Sequence, residues 1–225
     1  MDDSIRIIET GDGSQSLYNP ALRETYHSTH GALTESRHVF IQMGLDYLRS
    51  QGKQAIGILE VGLGTGLNAM LSIEQARIHK ELHIDYHTLE PYPLSSEIII
   101  GLTYPSLLSY DEAQTDFERV HEDTWGIPEL IVENFSFTKH KVKVEELFTK
   151  ERFDLIYFDA FAPNKQSEVW ELEVLRNVVA HMASGGVLVT YCAKGQFKRD
   201  LAALGLEVET LEGPPGKKEM VRATK

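Results

Sequence analysis

The chain is short of cysteine, of long apolar runs and of positive charge. Cys192 stands alone in 225 residues, so no internal disulfide can form and a reducing compartment is the expected home. No apolar run approaches the length of a membrane span, and the opening Met1-Asp2-Asp3-Ser4 has no signal-peptide character. A cytoplasmic protein with no membrane partner is expected. Lys and Arg number 22 against 34 Asp and Glu, a net charge of −12. Phosphate neutralisation supplies much of a nucleic-acid binder's affinity, so this balance weighs toward a small-molecule or protein substrate, with a local basic patch as the exception. The chain also lacks internal repeats and low-complexity stretches.

What is present is an ordinary globular composition, 42% hydrophobic and 25% charged, in a chain long enough to bury a core without metal or disulfide staples. Residues 1–54 read as an N-terminal extension packed on a core of residues 55–225. In the extension, a β-prone run at residues 5–8 precedes the turn Gly11-Asp12-Gly13, which suits a hairpin. An irregular polar segment comes next. Residues 35–50 then carry apolar side chains at Val39, Phe40, Met43, Leu45 and Leu48, one face of a helix. Tyr18, Tyr26 and Arg37 suggest that this extension closes over a site.

From Ile56 the pattern becomes strand, glycine-rich turn, helix. Strands are predicted at residues 56–61, 84–89, 153–158 and 187–191, with helices at 67–79, 167–181 and 195–204. The polar stretch around Trp125-Gly126-Ile127-Pro128 is expected to be helical, and residues 207–211 and 219–223 close the chain as further short segments. Strands alternating with helices predict an α/β fold, a mostly parallel sheet with helices on both faces. Ligands of such sheets bind beyond the carboxyl ends of the strands. The turns after Val61, Leu89, Phe158 and Tyr191 are therefore expected to converge.

Gly62-Leu63-Gly64-Thr65-Gly66 sits where a strand hands over to a helix. Such glycines serve either a tight turn alone or the close approach of a ligand to the backbone. A dinucleotide fingerprint would need its last glycine at position 67, where Leu67 stands. The preceding Glu60 decides further, because a carboxylate repels a pyrophosphate but suits the sulfonium and ammonium of S-adenosylmethionine. Glu90 ends the second strand, where a carboxylate can accept hydrogen bonds from a ribose diol. Asp159-Ala160-Phe161-Ala162-Pro163 follows the strand at 153–158, so Asp159 is expected beside the donor's methyl group. Phe161 and Pro163 are expected to wall in a planar substrate. His27 with His30, and His83 with His87, have ligand-like spacing but no supporting carboxylate or cysteine pattern, so no metal is expected. Cys192 reads as a small core residue.

Together these motifs resemble the methyltransferase domain of MnmC, the bifunctional tRNA wobble-uridine modification enzymes, and its stand-alone relatives. The resemblance runs from Glu35-Ser36-Arg37-His38-Val39-Phe40 through Gly62 to Asn68 and Leu89-Glu90-Pro91-Tyr92-Pro93-Leu94. It continues in Asp159 to Pro163 with Trp170, Gly185-Gly186, Ala193-Lys194-Gly195 and Gly216-Lys217-Lys218-Glu219-Met220. It implies a class I S-adenosylmethionine-dependent methyltransferase, Rossmann-like, with an N-terminal extension. It implies methyl transfer to the exocyclic amine of 5-aminomethyl-2-thiouridine at the tRNA wobble position, giving the 5-methylaminomethyl nucleoside. The donor is then held by Glu60, Gly62, Gly64, Thr65, Gly66, Asn68, Glu90 and Asp159, with Asp159 also catalytic. The tRNA would meet Phe161, Pro163, Tyr191, Lys194, Lys217 and Lys218, with Lys198, Arg199 and Arg222 nearby. The bifunctional enzymes carry a flavin-dependent domain that prepares the amine, so here no FAD is expected and a separate enzyme would supply that substrate. One position departs from the pattern: Lys143 stands where relatives place an acid near the adenine. Either backbone groups read the adenine, or the alignment shifts there. A small-molecule amine as acceptor, or a non-catalytic module binding tRNA or a protein, are the competing readings.

Overall fold

The computed structural model describes residues 4–225; the N-terminal Met1-Asp2-Asp3 reading lies outside them. A small antiparallel sheet opens the chain: β1 (Arg6–Glu9), β2 (Gln15–Asn19) and β3 (Glu24–Thr25). The hairpin expected at Gly11-Asp12-Gly13 forms, with Glu9 opposite Gln15. Asp12 ties its turn to the first helical segment. Its Oδ1 accepts from the Ser14 N–H at 3.0 Å, and its Oδ2 from the Thr34 N–H and hydroxyl at 2.9 and 2.8 Å.

The helix expected over residues 35–50 is a continuous run of three segments: α1 (Ala32–Ser36), a π-helical stretch Arg37–Asp46 and α2 (Tyr47–Ser50). Val39, Phe40, Ile41, Leu45 and Leu48 are buried in the main core beneath it. The widened π turns account for a buried set that does not repeat at the spacing of an α-helix.

Burial is the largest single influence on Asp12 and opposes its ionisation, but the hydrogen bonds from Ser14 and Thr34 together outweigh it and hold the carboxyl well below its ordinary range. A depressed carboxylate pKa contributes stability that is complete above the unfolded value and is lost as the pH falls through the folded one. Asp12→Ala is therefore expected to destabilise the fold by about 1 kcal/mol at neutral pH, solvent screening of the exposed carboxylate reducing what its hydrogen bonds contribute. The deficit relative to the parent should shrink in acid, which thermal unfolding at neutral and acid pH would read.

The main sheet has eight strands in the order β10-β11-β9-β8-β4-β5-β7-β6. Its parallel centre is β4 (Ala55–Val61), β5 (His83–Leu89), β7 (Phe135–His140), β8 (Phe153–Phe158) and β9 (Met182–Thr190). β6 (Glu129–Val132) lies antiparallel on one edge. β10 (Glu207–Glu212) and β11 (Glu219–Thr224) form a hairpin whose second strand inserts antiparallel beside β9. α3 (Leu67–Ile78), α4 (Ser96–Ile100) and α5 (Ala113–Val120) follow the first two core strands. α6 (Leu172–Ala180) and α7 (Gly195–Ala203) cover the opposite face. Apolar clusters therefore fill both sides of the sheet, as parallel sheets require.

The polar stretch read from sequence as helical after the second strand does hold α4 and α5, but around Trp125 it is irregular and leads into the β6–β7 hairpin. Asn134 stabilises its turn by donating to the carbonyls of Ala76 and Leu82 at 2.8 and 2.7 Å, contacts from a distant helix and loop. No helix among the described residues is long and apolar enough to cross a membrane.

Candidate active site

The carboxyl ends of the core strands are level. Val61 lies opposite both Leu89 and Phe158, and Leu89 opposite His140. The ladder continues one step beyond them. Gly62 N–H donates to the Leu89 carbonyl (3.0 Å), Glu90 N–H to His140 (2.9 Å) and Asp159 N–H to Val61 (3.1 Å). Gly62, Glu90 and Asp159 thus leave the sheet at one height. Between them lies a cavity of about 430 Å³, within the usual size of small-molecule sites.

Its floor needs glycine. Gly62 has φ 94°, and a Cβ there would stand 2.7 Å from the Asp159 carbonyl oxygen. Glu90 is almost fully buried, and it accepts from the Gly64 N–H at 2.9 Å and the Tyr92 N–H at 2.8 Å. Burial pushes its pKa up, with those two donors pulling the other way.

Behind the glycine loop, two carboxylates share one amide. Asn68 Nδ2 donates to Glu60 Oε1 at 3.1 Å and to Asp159 Oδ2 at 2.8 Å, while Thr88 donates to Glu60 Oε2 at 2.8 Å. Burial raises Glu60 to about 8, against the Thr88 bond, with the Asp159 charge adding to the rise. Burial likewise raises Asp159 to about 7, opposed by the Asn68 donor. Asn68 Oδ1 is buried with no hydrogen-bond partner among the described residues.

Of the residues singled out from sequence, Gly62, Gly64, Thr65, Glu90, Asp159 and Phe161 line the cavity. Glu60, Gly66 and Asn68 stand behind that wall: Glu60 is fully buried and reaches toward the cavity only through Asn68 and Asp159. Pro163 and Tyr191 are also outside it. The Tyr191 hydroxyl donates to the Ala160 carbonyl at 2.8 Å. Lys194 and Lys218 are exposed. Of the other late cations, Lys217 pairs with Glu35, Lys198 with Glu219 and Arg222 with Glu209, while Arg199 is exposed and donates to the Gln196 side chain at 2.8 Å. Lys143 does line the cavity, together with Val144 and Glu145.

Several further wall residues lie outside these motifs, and of them the sequence pointed to Tyr26, as part of an extension closing over a site. Ile5, Asn19, Leu22, Tyr26 and His27 come from the N-terminal segment. Tyr26 meets Phe161 edge to face at 4.9 Å. Lys165 also lines the cavity, and its ammonium donates to the Leu22 and Arg23 carbonyls at 2.9 and 3.0 Å. Trp170 holds the other side of the Asp159–Pro163 loop, its indole N–H on the Phe161 carbonyl at 2.8 Å. His83 stays apart from the side chains around His87, where the Asp85 and Glu151 carboxylates flank the imidazole Nε2 at 3.5 and 3.4 Å.

Comparison with known proteins bears out the resemblance read from the sequence. Residues 129–225 match a family model described as S-adenosyl-L-methionine-dependent methyltransferase. The chain is 27% identical over 233 residues to the tRNA 5-methylaminomethyl-2-thiouridine biosynthesis bifunctional protein MnmC of Aromatoleum aromaticum, covering 98% of this chain and 35% of that protein. The protein of the same name from Cupriavidus metallidurans is 27% identical over 226 residues, covering 96% and 33%. The chain thus spans about a third of the length of these curated relatives. Among solved structures, MnmC2 from Aquifex aeolicus superposes with a TM-score of 0.81 at 23% identity, over 99% of this chain and 70% of that one.

Proposed function

We propose that this chain, which has the fold of a class I S-adenosylmethionine-dependent methyltransferase, methylates the exocyclic amine of 5-aminomethyl-2-thiouridine at the wobble position of tRNA. The observation that carries this reading is that one cavity joins the glycine loop and Glu90 to Asp159 and Phe161. A donor side and an acceptor side meet there.

The residues present fit the donor. Glu90 is aimed into the cavity from a strand end and suits the ribose diol, while the Gly62–Thr65 backbone lies open to the amino-acid end. Val144 and Leu89 offer apolar walls to the adenine, and Glu145 supplies an acceptor for its amino group beside the departure at Lys143. The orphaned Asn68 Oδ1 and the Glu60–Asn68–Asp159 chain favour a cationic ligand close by. When bound, the donor supplies an electrophilic sulfonium methyl group.

The chain's own work is positioning and proton handling. Holding the reactants in line is worth roughly 7–11 kcal/mol. An alkylamine arrives protonated at neutral pH (compare lysine, about 10.4), so it must lose a proton before it can act as a nucleophile. Burial disfavours both the ammonium and the carboxylate, which brings the amine and Asp159 closer in proton affinity. Asp159 accepts the proton and keeps the neutral amine's lone pair oriented. Phe161 and Tyr26 offer aromatic faces and edges to an extruded base. A separate enzyme supplies the aminomethyl group, and the reaction takes place in the cytoplasm.

A small-molecule amine is the second reading, favoured by the net charge of −12. Labelled donor and tRNA from cells lacking wobble methylation separate the two. Appearance of the 5-methylaminomethyl nucleoside by mass spectrometry is the expected result. Cofactor binding without transfer to that tRNA would move the search to small amines. Absence of thermal stabilisation by S-adenosylmethionine would instead leave a binding module.

A further inference from the structure

Outside the cavity wall, a line of contacts ends on the loop that carries Asp159. Glu35 is buried on α1; its Oε1 accepts the Ser28 N–H at 2.8 Å, and its Oε2 holds the Lys217 ammonium. The same ammonium stands 3.7 Å from the centre of the Tyr191 ring. The Tyr191 hydroxyl grips the carbonyl of Ala160 at 2.8 Å, between Asp159 and Phe161. Three remote parts of the chain meet here: the N-terminal segment, the end of β9 and the loop between β10 and β11. That loop seats closely, for at Gly216 (φ 87°) a Cβ would fall 2.0 Å from the His30 ring.

We infer that Glu35, Lys217 and Tyr191 form a latch that sets the Asp159–Phe161 loop against the acceptor, so that Lys217 is a positioning residue and not a contact to RNA phosphate. This rests on Asp159 being the proton acceptor of the proposed reaction. An RNA phosphate would have to displace a buried carboxylate and an aromatic face from the ammonium. Removing either charge of a buried pair strands the other, whereas removing both does not. The latch also sets the charge around Asp159. The groups facing Asp159 are Asn68 on α3, Glu60 behind it on β4, Tyr86 on β5, Glu35 on α1, Lys217 on the hairpin loop and Tyr191 at the end of β9. Of these, Glu35 raises the Asp159 pKa and Lys217 lowers it.

The test uses the full chain with Lys217→Met, Glu35→Gln, their double variant, Tyr191→Phe and Lys217→Arg. Each is assayed for tRNA methylation across pH and for tRNA affinity across salt. Each loss variant is expected to lose about tenfold in kcat, with the double no worse than either single. Lys217→Arg, which keeps the charge and can stack, is expected to retain activity. The rise of rate with pH should move to higher pH in Lys217→Met and to lower pH in Glu35→Gln, a split that a merely structural defect would not produce. Affinity for tRNA and its salt dependence should not change. A weakened, less salt-dependent complex with kcat intact in Lys217→Met would make Lys217 a phosphate contact and overturn the latch. So would pH profiles that stay in place. Full activity in Asp159→Asn would instead remove the underlying reading, with the tRNA affinities of the latch variants still separating the two roles of Lys217.

Discussion

Asp159→Asn is expected to lower kcat for tRNA methylation by about 10²–10⁴-fold, the usual contribution of a positioned proton acceptor. The effect on cofactor affinity should be much smaller. The substitution keeps the size of the side chain, and its amide oxygen can still accept from Asn68 Nδ2, which reaches Asp159 Oδ2 at 2.8 Å in the parent. What it removes is a basic site. Burial holds that site at about 7 in the parent protein, with the Asn68 donor opposing the rise. A raised pKa means that the proton-accepting form grows in as the pH climbs through neutrality. The parent's single-turnover rate should therefore rise with pH about that point, and the variant's profile should be low and lack this limb. Full turnover with an unchanged profile would show that Asp159 neither takes the proton nor holds the amine.

Glu90→Ala should act on the other half of the site. Two backbone donors, Gly64 N–H at 2.9 Å and Tyr92 N–H at 2.8 Å, lose their acceptor together. The proposed bonds to the ribose hydroxyls vanish with them. Hydrogen bonds to a charged group are worth about 1.5–3 kcal/mol, so calorimetry should show the dissociation constant for S-adenosylmethionine rising roughly 10- to 150-fold. S-adenosylhomocysteine shares the ribose and should weaken in parallel. Affinity for tRNA alone should be unaffected. A change of less than threefold for both ligands would place the ribose elsewhere in the cavity.

What the sequence made legible was local. The runs ending at Val61, Leu89 and Phe158 are short, apolar and followed by glycine or acid, and those residues leave the sheet at one height. The expectation at Glu60 shows where such reasoning stops. Successive strand residues face opposite sides, so a residue one place before the end of β4 can sit under the loop rather than in the cavity. The hairpin at residues 129–140 escaped because its turn is tied down by carbonyls of Ala76 and Leu82. The late cations read as one basic group, yet Lys217 is paired with Glu35 across 182 positions and Arg222 with Glu209 on the neighbouring strand. Which charge neutralises which is decided by the fold, and no spacing rule announces it. Lys165 and the N-terminal wall other than Tyr26 were hidden for the same reason.

The placing of β11 bears on how the molecule is made. Among the described residues β10 has β11 as its one neighbour in the sheet, and β11 also covers the outer edge of β9. Domains tend to fold as units while the ribosome feeds them out N-terminus first. A nascent chain that has reached residue 212 therefore carries one strand with nowhere to dock and another with an open edge, the kind of surface that invites pairing with a neighbouring chain. Only when residues 219–224 emerge do both defects close. Tyr191 stands at the end of β9, and Lys217 arrives just ahead of β11. The Asp159–Phe161 side of the cavity is thus completed later in synthesis than the glycine loop, whose strands are made well before.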